Sequence, residues 1–247
     1  MNRVNQLFSL CGVDEKLGIV LHRPSNIFYL SGYTGEGLLV LSRGLRAIVT
    51  DFRYVEQAQK QAPGFSVHQI STGVSHARLA ARLIQEAGLL RVLYEDDFVT
   101  VQESRRLQEA LGAIDMASLD GRPEKLREVK DEKEVALIEK ACAISCEAFE
   151  YILTQIEPGM TEKQIQRLLN YRMLELGADA VAFDTIVASG PNGSLPHAIA
   201  GQRQIQQGDM ITFDFGAKYG GYCADMTRTI AVGKPGQEMR EIYDIVL

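Results

Sequence analysis

Asp214-Phe215-Gly216-Ala217-Lys218-Tyr219-Gly220-Gly221-Tyr222-Cys223-Ala224-Asp225 is nearly symmetric about Tyr219-Gly220. A tight turn at that centre pairs residues whose numbers sum to 439, which sets Asp214 directly opposite Asp225. Opposed residues on one face of an antiparallel ladder have Cβ atoms about 4.5–5.5 Å apart. That separation suits carboxylates shared by two metals about 3.5–4 Å apart. Like charges placed opposite each other destabilise a hairpin unless a cation or an arginine lies between them. The competing reading is two solvated carboxylates at a hairpin edge in a different register. Thr227 and Thr229 fall on the Asp225 face by alternation, while Met226 and Arg228 point away. Their hydroxyls suit hydrogen bonding to metal-ligating carboxylates, and threonine also favours strands for its own sake.

Upstream of this hairpin the chain predicts two helices and a strand. Val135, Ile138, Cys142, Ser145, Phe149, Ile152 and Ile156 recur at three- and four-residue steps, a long amphipathic helix ended by Pro158-Gly159. Thr161 and Gln164 fit a capping box that starts a second helix carrying Ile165, Leu168, Leu169, Met173 and Leu176, stopped by Gly177. Strands are predicted over 182–188, 210–215 and 223–232. A loop rich in turn formers, 188–197, ends in His197. Residues 237–247 read as an amphipathic helix with Met239, Ile242 and Val246 inward, and its carboxylates as a solvated face.

The first half alternates short apolar runs with amphipathic stretches. Residues 18–21, 37–41, 46–50 and 90–94 read as strands, and 54–61, 76–87 and 101–111 as helices, an α/β domain. Residues 118–130 carry Gly121, Pro123 and charges without an apolar stripe, which suits a connection; the domains are drawn as 1–124 and 125–247.

Composition removes several function classes. With 46% hydrophobic and 23% charged residues, the 247-residue chain is expected to be globular rather than disordered. Net charge is −6 and no Lys/Arg run exceeds a pair, which argues against nucleic acid. The first thirteen residues lack the continuous apolar stretch of a signal peptide, and no apolar run is long enough to span a bilayer, so a cytoplasmic protein without membrane association is expected. Four cysteines (Cys11, Cys142, Cys146, Cys223) make no disulfide framework and read as small core residues. Asp214-Phe215-Gly216 matches a kinase tripeptide, but no glycine-rich phosphate loop or His-Arg-Asp loop accompanies it.

Phe183-Asp184-Thr185-Ile186-Val187-Ala188-Ser189-Gly190, Leu195-Pro196-His197, Thr212-Phe213-Asp214-Phe215-Gly216 and Asp225-Met226-Thr227-Arg228-Thr229 together resemble the Xaa-Pro peptidases. These are the proline dipeptidases and aminopeptidases P of the creatinase and methionine aminopeptidase superfamily. Thr50-Asp51-Phe52-Arg53-Tyr54 and the junction from Leu126-Arg127 to Lys130 extend the likeness over essentially the whole chain. The resemblance implies an α/β creatinase-like N-terminal domain followed by the first part of an α+β pita-bread metallopeptidase domain. It implies two divalent ions, with manganese the first choice and cobalt or zinc also suited. Asp214 matches a chelating carboxylate, Asp225 a bridging one, and His197 a histidine that hydrogen-bonds the substrate or the tetrahedral intermediate.

Short proline-containing peptides are the implied substrates, and a homodimer the implied assembly. The family's remaining three ligands, a histidine and two glutamates, have no match before Leu247, so this chain alone is expected to lack peptidase activity. The alternative is a non-catalytic relative that binds or chaperones other proteins.

Overall fold

In a computed structural model the fold is described for residues 2–246. It separates into two compact units, Met1–Val129 and Lys130–Leu247.

In chain order the first unit comprises α1 (Arg3–Cys11), β1 (Leu17–Leu21), α2 (Pro24–Ser31), β2 (Leu38–Leu41), β3 (Arg46–Thr50), α3 (Val55–Gln61), β4 (Ser66–Gln69), α4 (His76–Glu86), β5 (Arg91–Tyr94), α5 (Val101–Leu111), β6 (Asp115–Ser118) and α6 (Arg122–Glu128). The strands form one sheet in the order β4-β3-β2-β1-β5-β6. Only β2 runs against its neighbours; β1 pairs β5, β5 pairs β6 and β3 pairs β4 in parallel. Parallel strands buried on both faces need near-continuous apolar runs. Ile19, Leu21, Leu39, Leu41 and Ile48 accordingly face one core with Val4, Leu7, Phe8 and Ile27, while Val20, Val40, Ala47 and Val49 face a second with Ala80, Ile84, Leu107 and Leu111.

Sequence reading found the central strands and α3 to α5 but not α1, α2, β4 or β6. For β4 and β6 the reason is physical: as edge strands they carry no fully buried residue and hence no strong apolar signal. Residues 118–130, expected to be a connection, instead end β6 and form α6, which folds back on its own unit. Tyr29 Oη donates to Leu126 O at 3.1 Å, and Asn26 Nδ2 donates to Glu124 at 2.6 Å.

The second unit comprises α7 (Glu132–Leu153), α8 (Glu162–Glu175), β7 (Ala180–Val181), β8 (Ile186–Ser189), β9 (Met210–Phe215), β10 (Ala217–Tyr219), β11 (Tyr222–Cys223), β12 (Met226–Ala231) and α9 (Gln237–Val246). Both α7 and α8 start in capping boxes, Asp131 with Glu134 and Thr161 with Gln164. Their buried stripes, Ile144, Ala148 and Ile152 on one and Ile165, Leu169 and Met173 on the other, cover a sheet of order β12-β9-β8. Phe149 meets Phe213 edge-on and stacks on Phe215, each with ring centroids 5.5 Å apart.

Three further expectations are corrected. Of the cysteines, Cys142, Cys146 and Cys223 are exposed rather than core residues, and only Cys11 is partly buried. The strand expected over 223–232 is two, β11 and β12, broken at Ala224-Asp225. Met239, Ile242 and Val246 of α9 are 45%, 49% and 81% exposed rather than inward, because among the described residues nothing covers that face; residue 247 lies outside them.

Candidate metal-binding face and its histidine loop

The β9–β12 ladder pairs Asp214 with Thr227, Thr212 with Thr229 and Phe215 with Met226, so paired numbers sum to 441 rather than 439. The β10–β11 hairpin continues the same register through Lys218↔Cys223 and Tyr219↔Tyr222. The turn therefore centres on Gly220-Gly221, whose φ angles are +57° and +85°. A two-residue turn with both central φ values positive is the type that matches strand twist, and it excludes Tyr219 from a central position.

Asp225 consequently lies not opposite Asp214 but diagonal to it, two positions from Thr227. A shift of two preserves strand parity. Asp214, Thr227, Thr229 and, by alternation, Asp225 remain on one face, while Ile211, Phe213, Phe215 and Ile230 pack toward α7 and α8. Diagonal neighbours are about 7–8 Å apart, so repulsion between the carboxylates is weaker than direct opposition would give. Thr227 Oγ1 donates to Asp214 Oδ1 at 3.2 Å, and the Thr212 and Thr229 hydroxyls share a hydrogen bond at 3.1 Å. Among the described residues no salt bridge reaches Asp214 or Asp225.

At the break between β9 and β10, Gly216 lies so close to Ala224 that an added Cβ would stand 1.8 Å from its carbonyl oxygen. Glycine there lets the chain carrying Asp225 pass beside the end of β9. The two aspartates are thus held by backbone close packing.

His197 is exposed on the loop that follows β8 and its short 3-10 turn, Gly190–Ser194. Among the described residues it makes no hydrogen bond to Asp214, Asp225 or either threonine. The loop itself is anchored by a residue that sequence reading passed over. Glu162, the first residue of α8 and fully buried, accepts from Ser189 N (2.8 Å), Ser189 Oγ (2.7 Å), Asn192 Nδ2 (2.9 Å) and Gly201 N (3.0 Å). It therefore clasps both ends of the segment that carries His197.

Burial pushes the Glu162 carboxyl up, but the donors from Ser189, Gly201 and Asn192 outweigh burial and hold it below the ordinary glutamate range. Arg203 adds a second tie, donating to Ser189 Oγ (2.6 Å) and pairing with Asp209 (2.6 Å). An acidic residue in a first helical turn is common because it complements the helix dipole, so Glu162 carries no sequence signal of its buried role.

Among the described residues no group of three or more His, Cys, Asp and Glu side chains is placed to hold a metal ion. The face offers two carboxylates, hard oxygen donors of the kind divalent cations take, but not a complete donor set.

Residues 136–247 match metallopeptidase family M24, and residues 3–129 match the creatinase/prolidase N-terminal domain. The chain belongs to metallopeptidase family M24. The uncharacterized peptidase YqhT of Bacillus subtilis is 37% identical over all of this chain and 69% of its own length. The Xaa-Pro dipeptidase of Pyrococcus horikoshii is 30% identical over 99% of this chain and 68% of its own. Among solved structures, an Xaa-Pro dipeptidase from Bacillus anthracis superposes with a TM-score of 0.90 at 38% identity, covering 99% of this chain and 67% of that one. An X-Pro aminopeptidase from Thermotoga maritima gives 0.86 at 35% identity, over 98% and 69%.

The M24 chain spans about two thirds of the length of these relatives. The architecture is thus a creatinase N-terminal domain followed by pita-bread elements of the M24 domain, as the resemblance implied. The peptidase names of the relatives do not favour the non-catalytic reading. No helix among the described residues is long and apolar enough to cross a membrane.

Proposed function

We propose that the protein is a metal-dependent peptidase that hydrolyses Xaa-Pro bonds in dipeptides or at the N-terminus of short peptides. The observation that carries this reading is the placing of Asp214 and, by alternation, Asp225 on one face of the β9–β12 ladder, with a threonine hydroxyl on Asp214 and, among the described residues, no salt bridge to either carboxylate. Carboxylates arranged without a cation partner favour uptake of one from solution.

In this reading Asp214 and Asp225 hold divalent ions, manganese first. The remaining donors belong to the third of the relatives' length that this chain does not span. Such ions, when bound, lower the pKa of water and polarise the scissile carbonyl.

The chain's own residues do the positioning. Thr227 donates to Oδ1 of Asp214 and leaves Oδ2 for a cation, and Thr229 is linked in turn to Thr212. Glu162 and Arg203 brace the loop so that His197 is presented at a constant place, from which its imidazole hydrogen-bonds the peptide. The substrate class rests on the printed names of the relatives, which include both dipeptidases and an aminopeptidase.

The test begins with the protein purified from its own source, its intact mass measured beside the 27.4 kDa of this chain. Hydrolysis of Gly-Pro and of Gly-Pro-Ala is then followed with and without manganese. The reading expects metal-dependent release of glycine, lost in Asp214→Asn and in Asp225→Asn. Undiminished turnover in either variant would sink it. For this 247-residue chain alone we expect no turnover, and measured hydrolysis would refute that.

A further inference from the structure

The N-terminal unit holds a cavity of about 310 Å³ that the proposed reaction does not use, with His22, Leu38, His76, Phe98, Glu103 and Arg106 in its lining. It opens where β1 ends and β2 begins, and where α4 and α5 start. This is the carboxyl edge of the parallel strands, where α/β sheets bind their ligands. Its size is at the lower end of the range for small-molecule sites.

Two histidines line it, and each has a buried ring nitrogen with no partner among the described residues: Nδ1 of His22 and Nε2 of His76. Buried polar atoms without partners are uncommon in native proteins and call for an explanation. Burial, the larger influence on both rings, pulls His22 down to about 4 and His76 below its ordinary value, against the pull of Glu103 on the first and of Asp51 and Glu36 on the second. Both imidazoles are neutral at physiological pH, each with one N–H and one acceptor nitrogen. The position of His22 is fixed independently of any ligand, because its backbone N–H and that of Arg23 donate to the buried Glu95 at 2.5 and 2.7 Å.

Of the two charged side chains that line the cavity, Glu103 is engaged and Arg106 is not. Arg106 makes no hydrogen bond or ion pair among the described residues. Its acidic neighbour on α5, Glu103, already uses Oε2 to accept from Thr100 N and Oγ1, both at 2.8 Å. At the start of α4, Ser75 Oγ caps Arg78 N, which leaves the first-turn amides of His76 and Ala77 with no partner inside the helix. Leu38 and Phe98 supply the apolar part of the wall.

We propose that this cavity binds a small molecule bearing one carboxylate and an apolar group. The carboxylate is received by Arg106, the first turn of α4 and the ring N–H groups of His22 and His76, and the apolar group by Leu38 and Phe98. The proposal is independent of the peptidase reading, since it concerns the other unit and its test needs no turnover.

The chain contains only four histidines, so their ring resonances can be followed individually by NMR. The 247-residue protein at neutral pH is titrated with 4-methylpentanoate and, separately, with 4-methylpentanamide, which has the same shape without the charge. His68→Gln and His197→Gln assign the two rings outside the cavity. The expected result is a saturable shift of the His22 and His76 signals with the carboxylate only, with His68 and His197 unmoved. Arg106→Gln, a surface change that leaves the fold intact, weakens binding about tenfold, the loss of one charge-assisted hydrogen bond. Absence of a saturable shift, an equal response to the amide, or unchanged affinity in Arg106→Gln overturns the proposal.

Discussion

Replacing Glu162 with alanine should release the histidine loop without unfolding the sheet beneath it. The change removes the acceptor for two backbone amides, Ser189 N and Gly201 N, and for the Asn192 amide and the Ser189 hydroxyl. A donor left unsatisfied inside a protein is destabilised by about 1–3 kcal/mol, so the two backbone amides alone amount to about 2–6 kcal/mol. Glu162→Gln keeps one carbonyl oxygen but turns an NH₂ toward groups that also donate, so its loss should lie near the lower end.

The assay is amide hydrogen exchange. Even the smallest loss, about 2 kcal/mol, corresponds to roughly 30-fold faster exchange at Ser189 and Gly201. Amides of the six-stranded sheet in the other unit should not change, which separates local release from global unfolding. Exchange at both amides as slow in Glu162→Ala as in the unaltered protein would refute the clasp.

The pH dependence supplies a second check. The folded-state pKa of Glu162 is depressed below the ordinary 4.5, so its contribution is fully present above that value and is lost as pH falls through the lower folded pKa. Protection of the loop should therefore fade on acidification in the unaltered protein, and the Gln variant should lack that step.

Gly216→Ala places a methyl carbon where only 1.8 Å separates it from Ala224 O, and the strain should lower stability by about 1–3 kcal/mol or more, read from urea unfolding followed in the C-terminal unit. The His22 ring, with its pKa pulled down to about 4 from 6.5, should stay neutral until well below pH 5 by NMR. Because the unfolded chain takes up that proton first, stability should fall by about 3 kcal/mol as pH drops from 6.5 to 4, and a ring titrating near 6.5 would contradict the burial argument. Under native conditions iodoacetamide should label Cys142, Cys146 and Cys223 before Cys11, whose thiol burial pushes up to about 11; mass spectrometry reads the order.

Sequence alone settled what depends on parity and periodicity. The strand alternation that separates Asp214, Asp225, Thr227 and Thr229 from Phe213 and Phe215 survives the error in register, because a shift of two residues leaves every side chain on its face. The stripes of α7 and α8, the capping box of α8 and the apolar runs of β1, β2 and β3 were legible because each reports a local regularity.

What the sequence could not decide were relations between distant residues. The pairing sum turned on which two residues occupy the turn, and only the backbone showed that Gly220 and Gly221, not Tyr219, adopt positive φ. The exposure of α9 and of the cysteines depends on which elements lie over them. Glu162 reads as an ordinary first-turn acid until Ser189 and Gly201, 27 and 39 residues away, arrive to donate to it. The same holds for His22 and His76, which line one cavity, each with a buried ring nitrogen unpartnered among the described residues, only when the end of β1 and the start of α4 meet at one edge of the sheet. Periodicity is written along the chain. Burial of a charge and the loss of a hydrogen-bond partner are written between segments, and folding alone brings them together.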